Sequence, residues 1–171
     1  LAKMLTGGED PRFIARRLVI FASEDVGLAD SRALLVANAA FDASERLGLP
    51  ECELNLAHAT LFLSTCPKSN TATLALAKAK KIVQDDPLQK VPSPIRDRHG
   101  RNKKHQDKNE ETYLYSHNYP ENISGQNYLG IPLDIYVPKK SGGEGTIAER
   151  LARWKAIKAK IQAESDASGS P

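Results

Sequence analysis

Asp10-Pro11-Arg12-Phe13-Ile14-Ala15-Arg16-Arg17-Leu18-Val19-Ile20-Phe21-Ala22-Ser23-Glu24-Asp25-Val26-Gly27 is the stretch that decides the fold class. Asp10 stands where an N-cap carboxylate can accept from the first free amides of a helix. Pro11 fits the first helical position, where its missing N–H costs nothing. Phe13, Ile14, Leu18, Phe21 and Ala22 then return with a helical period, while Arg12, Arg16 and Glu24 fall elsewhere on the wheel. Gly27 supplies the left-handed stop. The stretch predicts a helix with a start, one apolar stripe and an end.

The same grammar continues downstream. Asp30 or Ser31 restarts a helix that runs through Leu34, Leu35 and Phe41 to Leu47, and Gly48 stops it. Pro50 opens a third over 51–64, apolar nearly all round with Leu54, Leu56, Ala57, Leu61, Phe62 and Leu63, which predicts a place at the centre of a bundle. Pro67 breaks it. Ser69 or Asn70 caps a fourth over 71–83, rich in Ala and closed by Lys78, Lys80 and Lys81, whose charge suits the negative end of a helix. Residues 10–84 therefore predict four helices joined by short turns, an all-α helical bundle.

The texture changes at Asp85-Asp86-Pro87. Pro87, Pro92, Pro94, Pro120, Pro132 and Pro138 punctuate 87–145 and block regular helix, and Tyr113, Tyr115, Tyr119, Tyr128 and Tyr136 suggest an irregular chain that packs against the bundle. A short helix around 95–107 and a short strand at 134–137 are expected within it. Gly142, Gly143 and Gly145 lead into a C-terminal helix at 146–164 with an apolar stripe of Ile147, Leu151, Trp154, Ile157 and Ile161. Residues 165–171 read as a disordered polar tail.

Composition agrees. Of 171 residues, 40% are hydrophobic and only 6% aromatic, so the core must rest on Leu, Ile, Val and Ala, which suits helix-on-helix packing. No apolar run approaches the ~20 residues that cross a bilayer, and residues 1–8 lack a signal-peptide pattern. Cys52 and Cys66 sit in apolar helical context without paired ligand spacing, so they read as two buried thiols of a cytoplasmic protein. Net charge is +3, unevenly spread: residues 1–90 carry eleven basic and eleven acidic side chains, whereas 96–108 carry six basic against two acidic.

Chemistry is sparse. Gly7-Gly8 and Gly142-Gly143-Glu144-Gly145 do not continue into the Gly-Lys-Ser/Thr of a phosphate-binding loop. His58 falls within the apolar third helix and reads as a hydrogen-bonded core residue. His99 and His105 lack a second ligand one turn away, and His117 reads as the anchor of a turn. Neither cysteine nor any serine has a nucleophile's local frame. Glu24, Asp25 and Asp30 could supply oxygen ligands to a cation, but capping and surface charge explain them as well. Because acids are disfavoured at a helix C-terminus, Glu24 and Asp25 call for a partner, with Arg12, Arg16, Arg17 or another subunit available. The basic run holding Arg96, Arg98, Arg101, Lys103 and Lys104 is the candidate contact for DNA phosphates, with Tyr113 and Tyr115 near enough in sequence to stack on bases.

The stretch from Gly7 through Leu18 to Asp30 closely resembles the C-terminal region of the RarA/MgsA family, the replication-associated recombination ATPases of the AAA+ class related to clamp loaders. The resemblance continues through Cys66-Pro67-Lys68-Ser69-Asn70, Ile95-Arg96-Asp97-Arg98-His99, His117-Asn118-Tyr119-Pro120 and Gln126-Asn127-Tyr128-Leu129, so it covers roughly residues 1–137. Asn118 stands where an acid is usual, and 108–112 departs from a glycine-containing turn.

The resemblance implies a nucleotide-binding core N-terminal to this region, with the chain entered part-way through the ATPase's helical lid or just past it. It implies a fold like the clamp-loader collar, a helical domain that joins subunits into a tetramer. It also implies a parent that needs ATP and magnesium and acts on DNA at stalled forks near single-stranded-DNA-binding protein. On this reading the chain divides into an oligomerisation bundle at 1–86, an irregular segment at 87–145 packed on it, a C-terminal helix at 146–164 and a tail at 165–171. No catalytic, cofactor or metal residue is expected in the chain itself. Arg12, Arg16, Arg17, Glu24, Asp25, Lys68, Ser69 and Asn70 transfer as family signature positions, with packing or subunit contact as their expected role.

Overall fold

The computed structural model describes residues 1–86, 91–96, 113–129 and 133–168. Its regular structure is helical: α1 (Ala2–Thr6), α2 (Pro11–Phe21), α3 (Arg32–Arg46), α4 (Cys52–Thr65), α5 (Thr71–Asp85) and α6 (Glu144–Ser168). No strand occurs among the described residues, so the segment at 134–137 is irregular chain rather than the expected strand. The all-α expectation holds.

Two compact units emerge, one of residues 1–80 with 135–148, the other of 81–134 with 149–171. The first is built on α2, α3 and α4, which pack on one another in all three pairings. The start of α2 is as its sequence predicts: the Asp10 carboxylate accepts from the Arg12 backbone N–H at 2.8 Å. Its end differs. The α-helix closes at Phe21 and the chain continues through one π turn, Ala22–Val26, before Gly27 reverses it at φ +51°. That turn puts Ala22 and Val26 on the core side and leaves Ser23, Glu24 and Asp25 in water. α1 was not foreseen; Leu1, Met4 and Leu5 cover the lower core around Ile14, Ala15, Cys52 and Leu56.

Small residues set the spacing. Ala33, Ala37 and Ala40 lie one turn apart on α3 and are all buried, which lets α2 and α4 close on that helix. Leu63 and Val26 fill the upper core with Leu18, Phe21 and Phe62 around them.

Three expectations need correction. α4 is not wrapped on all sides: Cys52, Leu56, Ala59 and Leu63 are buried, but Leu54 is 78% exposed and Leu61 67%. His58, on that outer face, is exposed and no core histidine. α5 is not a full member of the core either. Thr71 alone is buried along it, and Leu74, Leu76 and Val83 are exposed. The bundle is thus three mutually packed helices with α5 at its margin.

In the second unit, α6 lies against the irregular chain. Gly125 (φ +77°) fits over Ile161, where an added Cβ would approach within 2.8 Å of its side chain, and Gln162 donates to the Gly125 carbonyl at 2.8 Å. α6 starts two residues earlier and ends four later than the 146–164 expected, so 165–168 is helix where a tail was expected. The 95–107 helix falls mostly outside the described residues; what is seen is a single 3-10 turn, Ser93–Ile95. His117, in the turn Ser116–Asn118, packs against the Tyr115 ring at a tilt of 41° with centroids 5.1 Å apart.

Candidate functional site

Of the signature residues, Lys68, Ser69 and Asn70 lie in the first unit where three loops meet: the π turn with Gly27–Asp30, the 66–70 link between α4 and α5, and the chain at 136–144. Lys68 closes α4. Its Nζ donates to the carbonyl of Leu63 at 2.7 Å and of Cys66 at 2.6 Å, and it stands 5.3 Å from the centroid of the Phe21 ring. A cation on the last carbonyls of a helix answers both their open lone pairs and the helix dipole. Ser69 then bonds backbone to backbone with the π turn, its N–H donating to Asp25 O at 2.8 Å. The approach is so close that a Cβ on Gly27 would lie 2.5 Å from the Ser69 carbonyl oxygen.

Below this lies a buried polar knot. Glu144, the first residue of α6, is wholly out of water, and its Oε1 accepts from Thr71 Oγ1 at 2.5 Å and from the Tyr136 hydroxyl at 2.8 Å. Ser69 Oγ donates in turn to Thr71 Oγ1 at 3.1 Å. Glu144 Oε2 is buried with no hydrogen-bond partner among the described residues. Burial works against ionisation of this carboxyl. The hydroxyls of Ser69, Thr71 and Tyr136 and the backbone N–H of Lys139 all favour the charged form, however, and the balance lowers its pKa. Burial, then Glu144 itself, pushes the Tyr136 hydroxyl up to about 12.

Outer bonds complete the clamp. Asn70 Oδ1 accepts from Lys139 Nζ at 2.6 Å, Ser141 Oγ donates to the Lys68 carbonyl at 2.9 Å, and Gly143 N–H donates to Ala29 O at 2.8 Å. Lys68, Ser69 and Asn70 thus share one structural job: they fasten 136–144 to the bundle. Nothing in the sequence pointed to Glu144 and Tyr136, because their partner Thr71 is 73 residues from Glu144 along the chain.

The other predicted positions go elsewhere. Arg12 forks onto Asp10 at 3.1 and 3.3 Å. Arg16 and Arg17 are exposed, as are Glu24 and Asp25, and none of the three arginines pairs with either acid. Among the described residues, Glu24 and Asp25 meet none of the arginines expected as their partners within the chain. Asp30 faces Arg32, with guanidinium bonds of 2.6 and 2.9 Å that hold its carboxyl below the usual range. No cluster of three metal-ligating side chains occurs among the described residues. Cys52 is buried and Cys66 half-buried, and both are free thiols whose pKa burial raises. Of the basic run, Arg96 donates from Nε to the Val91 carbonyl at 2.7 Å; Arg98, Arg101, Lys103 and Lys104 lie outside the described residues.

The glycine pairs do not suit a nucleotide. Gly7 and Gly8 close α1, and Gly143 spends its N–H on Ala29, so neither presents a row of free amides to phosphates. Among the described residues, these two glycine segments do not fit the phosphates of ATP.

A second feature is apolar. Val36 and Ala39 of α3 share a shallow hollow of about 160 Å³ with Asn55 and His58 of α4. Leu54 and Leu61 stand four before and three after His58, and Leu35 four before Ala39, so helical spacing places all of them along one outer face. Leu35 is 70% exposed.

Residues 1–155 match the family described as MgsA AAA+ ATPase C terminal. The chain belongs to that family. An uncharacterized AAA domain-containing protein of Mycobacterium tuberculosis is 46% identical to this MgsA C-terminal domain over 160 residues, 92% of the chain and 35% of the relative. Replication-associated recombination protein A of Haemophilus influenzae is 40% identical over 158 residues (90% and 35%), and that of Escherichia coli 37% over 160 (91% and 35%). The chain therefore spans about a third of the length of these curated relatives. Among the described residues no helix is long and apolar enough to cross a membrane.

Proposed function

We propose that this MgsA C-terminal domain joins copies of a longer AAA+ ATPase into a tetramer through the outer face of α3 and α4. The observation that supports this is the set Leu35, Leu54 and Leu61, each two-thirds or more in water on a face that also carries Val36, Ala39, Asn55 and His58. Large apolar side chains grouped in this way mark a surface that gains by being covered. Between Leu35 and Ala39 on α3 and between Leu54 and Leu61 on α4 the chain carries no Lys, Arg, Asp or Glu, with Arg32, Asp42 and Glu51 only at the ends of the patch, so a second copy meets its middle with little like-charge repulsion or loss of charge hydration. A stable contact needs roughly 1,000 Å² in all, which two such helix pairs can supply.

On this reading the domain itself performs no catalysis. Nucleotide and magnesium belong to the longer protein, whose action on DNA in replication-associated recombination, near single-stranded-DNA-binding protein, depends on the spacing that assembly sets. The signature clamp at Lys68–Asn70 holds α4 and its neighbours in shape and leaves the outer face free to dock.

Light scattering after size exclusion, across a concentration series, tests the reading. The expected result is a mass near four chains. Leu54→Glu with Leu61→Glu should bring it to one chain while circular dichroism keeps its helical signal. A wild-type monomer at every concentration sinks the reading, as does a double variant that still assembles.

A further inference from the structure

α6 carries a second surface that assembly through α3 and α4 does not use. From Glu149 to Lys160 it bears five basic residues, Arg150, Arg153, Lys155, Lys158 and Lys160, against one acid. The chain's single tryptophan, Trp154, stands among them and is 41% exposed. The Arg150 guanidinium lies over its ring, 6.0 Å from the centroid. Arg153 meets Glu121, and Lys155 meets Asp134 at 2.7 Å, but these pairs lie at the surface, where they contribute little and yield readily to a phosphate. Arg150 and Lys158 each stand four residues from Trp154, so helical geometry strings cation, ring and cation along one face at steps of about 6 Å.

We propose that this face binds single-stranded nucleic acid, with a base on the exposed part of the Trp154 ring and backbone phosphates on Arg150 and Lys158. The cations select a polyanion. The ring narrows the choice further: unstacked bases offer an open π face, whereas a duplex hides its bases and an acidic peptide has none to offer. The proposal rests on residues distinct from the assembly face, so the two stand or fall separately.

Because Trp154 is the only tryptophan, its emission reports this site alone. Dye-labelled oligothymidylate is titrated into the full chain, with dye anisotropy and tryptophan emission read together. The expected result is saturable quenching that tracks the anisotropy and weakens steeply with added salt. Trp154→Ala should lower affinity about tenfold, and Trp154→Phe should keep most of it. Should Trp154→Ala lose its helical signal, Arg150→Gln with Lys158→Gln leaves the ring in place and should still weaken binding. Absence of binding overturns the proposal, and so does binding with unquenched emission, which puts the strand elsewhere. Equal affinity and quenching with polyglutamate overturns it in favour of an unselective anionic contact.

Discussion

Glu144 sits at the first turn of a 25-residue helix with its carboxylate wholly out of water. An acid at a helix N-terminus is favoured by the dipole, and here three hydroxyls add to that preference. Since its folded pKa lies below the ordinary 4.5, the native state holds the proton more weakly than the unfolded chain does. Its contribution to stability is therefore whole above about pH 4.5 and is lost as pH falls through the folded pKa. Tyr136 works at the other end: raised to about 12 from 10, it contributes fully below pH 10 and loses that contribution as pH rises towards 12. Glu144→Gln should cost about 1–3 kcal/mol at neutral pH, the worth of hydrogen bonds to a charged group. It should also flatten the acid limb of the stability curve. Urea unfolding at a series of pH values checks both, and a variant curve parallel to the wild type would remove Glu144 as the cause. The knot was not legible beforehand. Ser69 and Asn70 could be read as a helix start, but a glycine-flanked glutamate far along the chain carries no local mark of being their partner.

Helices show the same division between what is local and what is not. Asp10, Pro11, Gly27, Gly48 and Pro67 act within a few residues of themselves, and the element boundaries they predict lie close to those found. The π turn after Phe21 is set by the fit of Val26 into the core and of Gly27 against Ser69, which are tertiary contacts. α4 is the instructive element, because apolar residues on every side leave its periodicity with no preferred face. Packing against the alanine row of α3 chooses the face instead. Leu56 goes fully inside, and Leu54, two residues away, stays 78% exposed. Leu56→Ala should then cost about 2–5 kcal/mol and Leu54→Ala no more than about 0.5. Chemical unfolding of dilute protein, where any assembly is dissociated, measures the difference. Similar losses at the two positions would mean that α4 is turned about its axis relative to the arrangement described.

For the molecule as a whole, the proposed assembly has two exposed apolar surfaces to choose between. α3 and α4 offer Leu35, Leu54 and Leu61; α5 offers Leu74 and Leu76, 54% and 58% exposed. The two differ in their support. The α3–α4 face rests on helices already locked to each other and to α2, so docking there orders little that is not ordered already. α5 is held to the core by a single buried residue, Thr71, and a partner docking on it would have to fix the helix as well as cover it. Rigid support therefore favours α3 and α4. Amide hydrogen exchange at low and high protein concentration separates the two: exchange should slow in α3 and α4 on assembly, while α5 keeps the faster exchange of a weakly buried helix at both concentrations. Slowing confined to α5 would move the interface there and leave assembly itself intact, whereas slowing spread evenly over every helix would point to general stabilisation rather than a docking face.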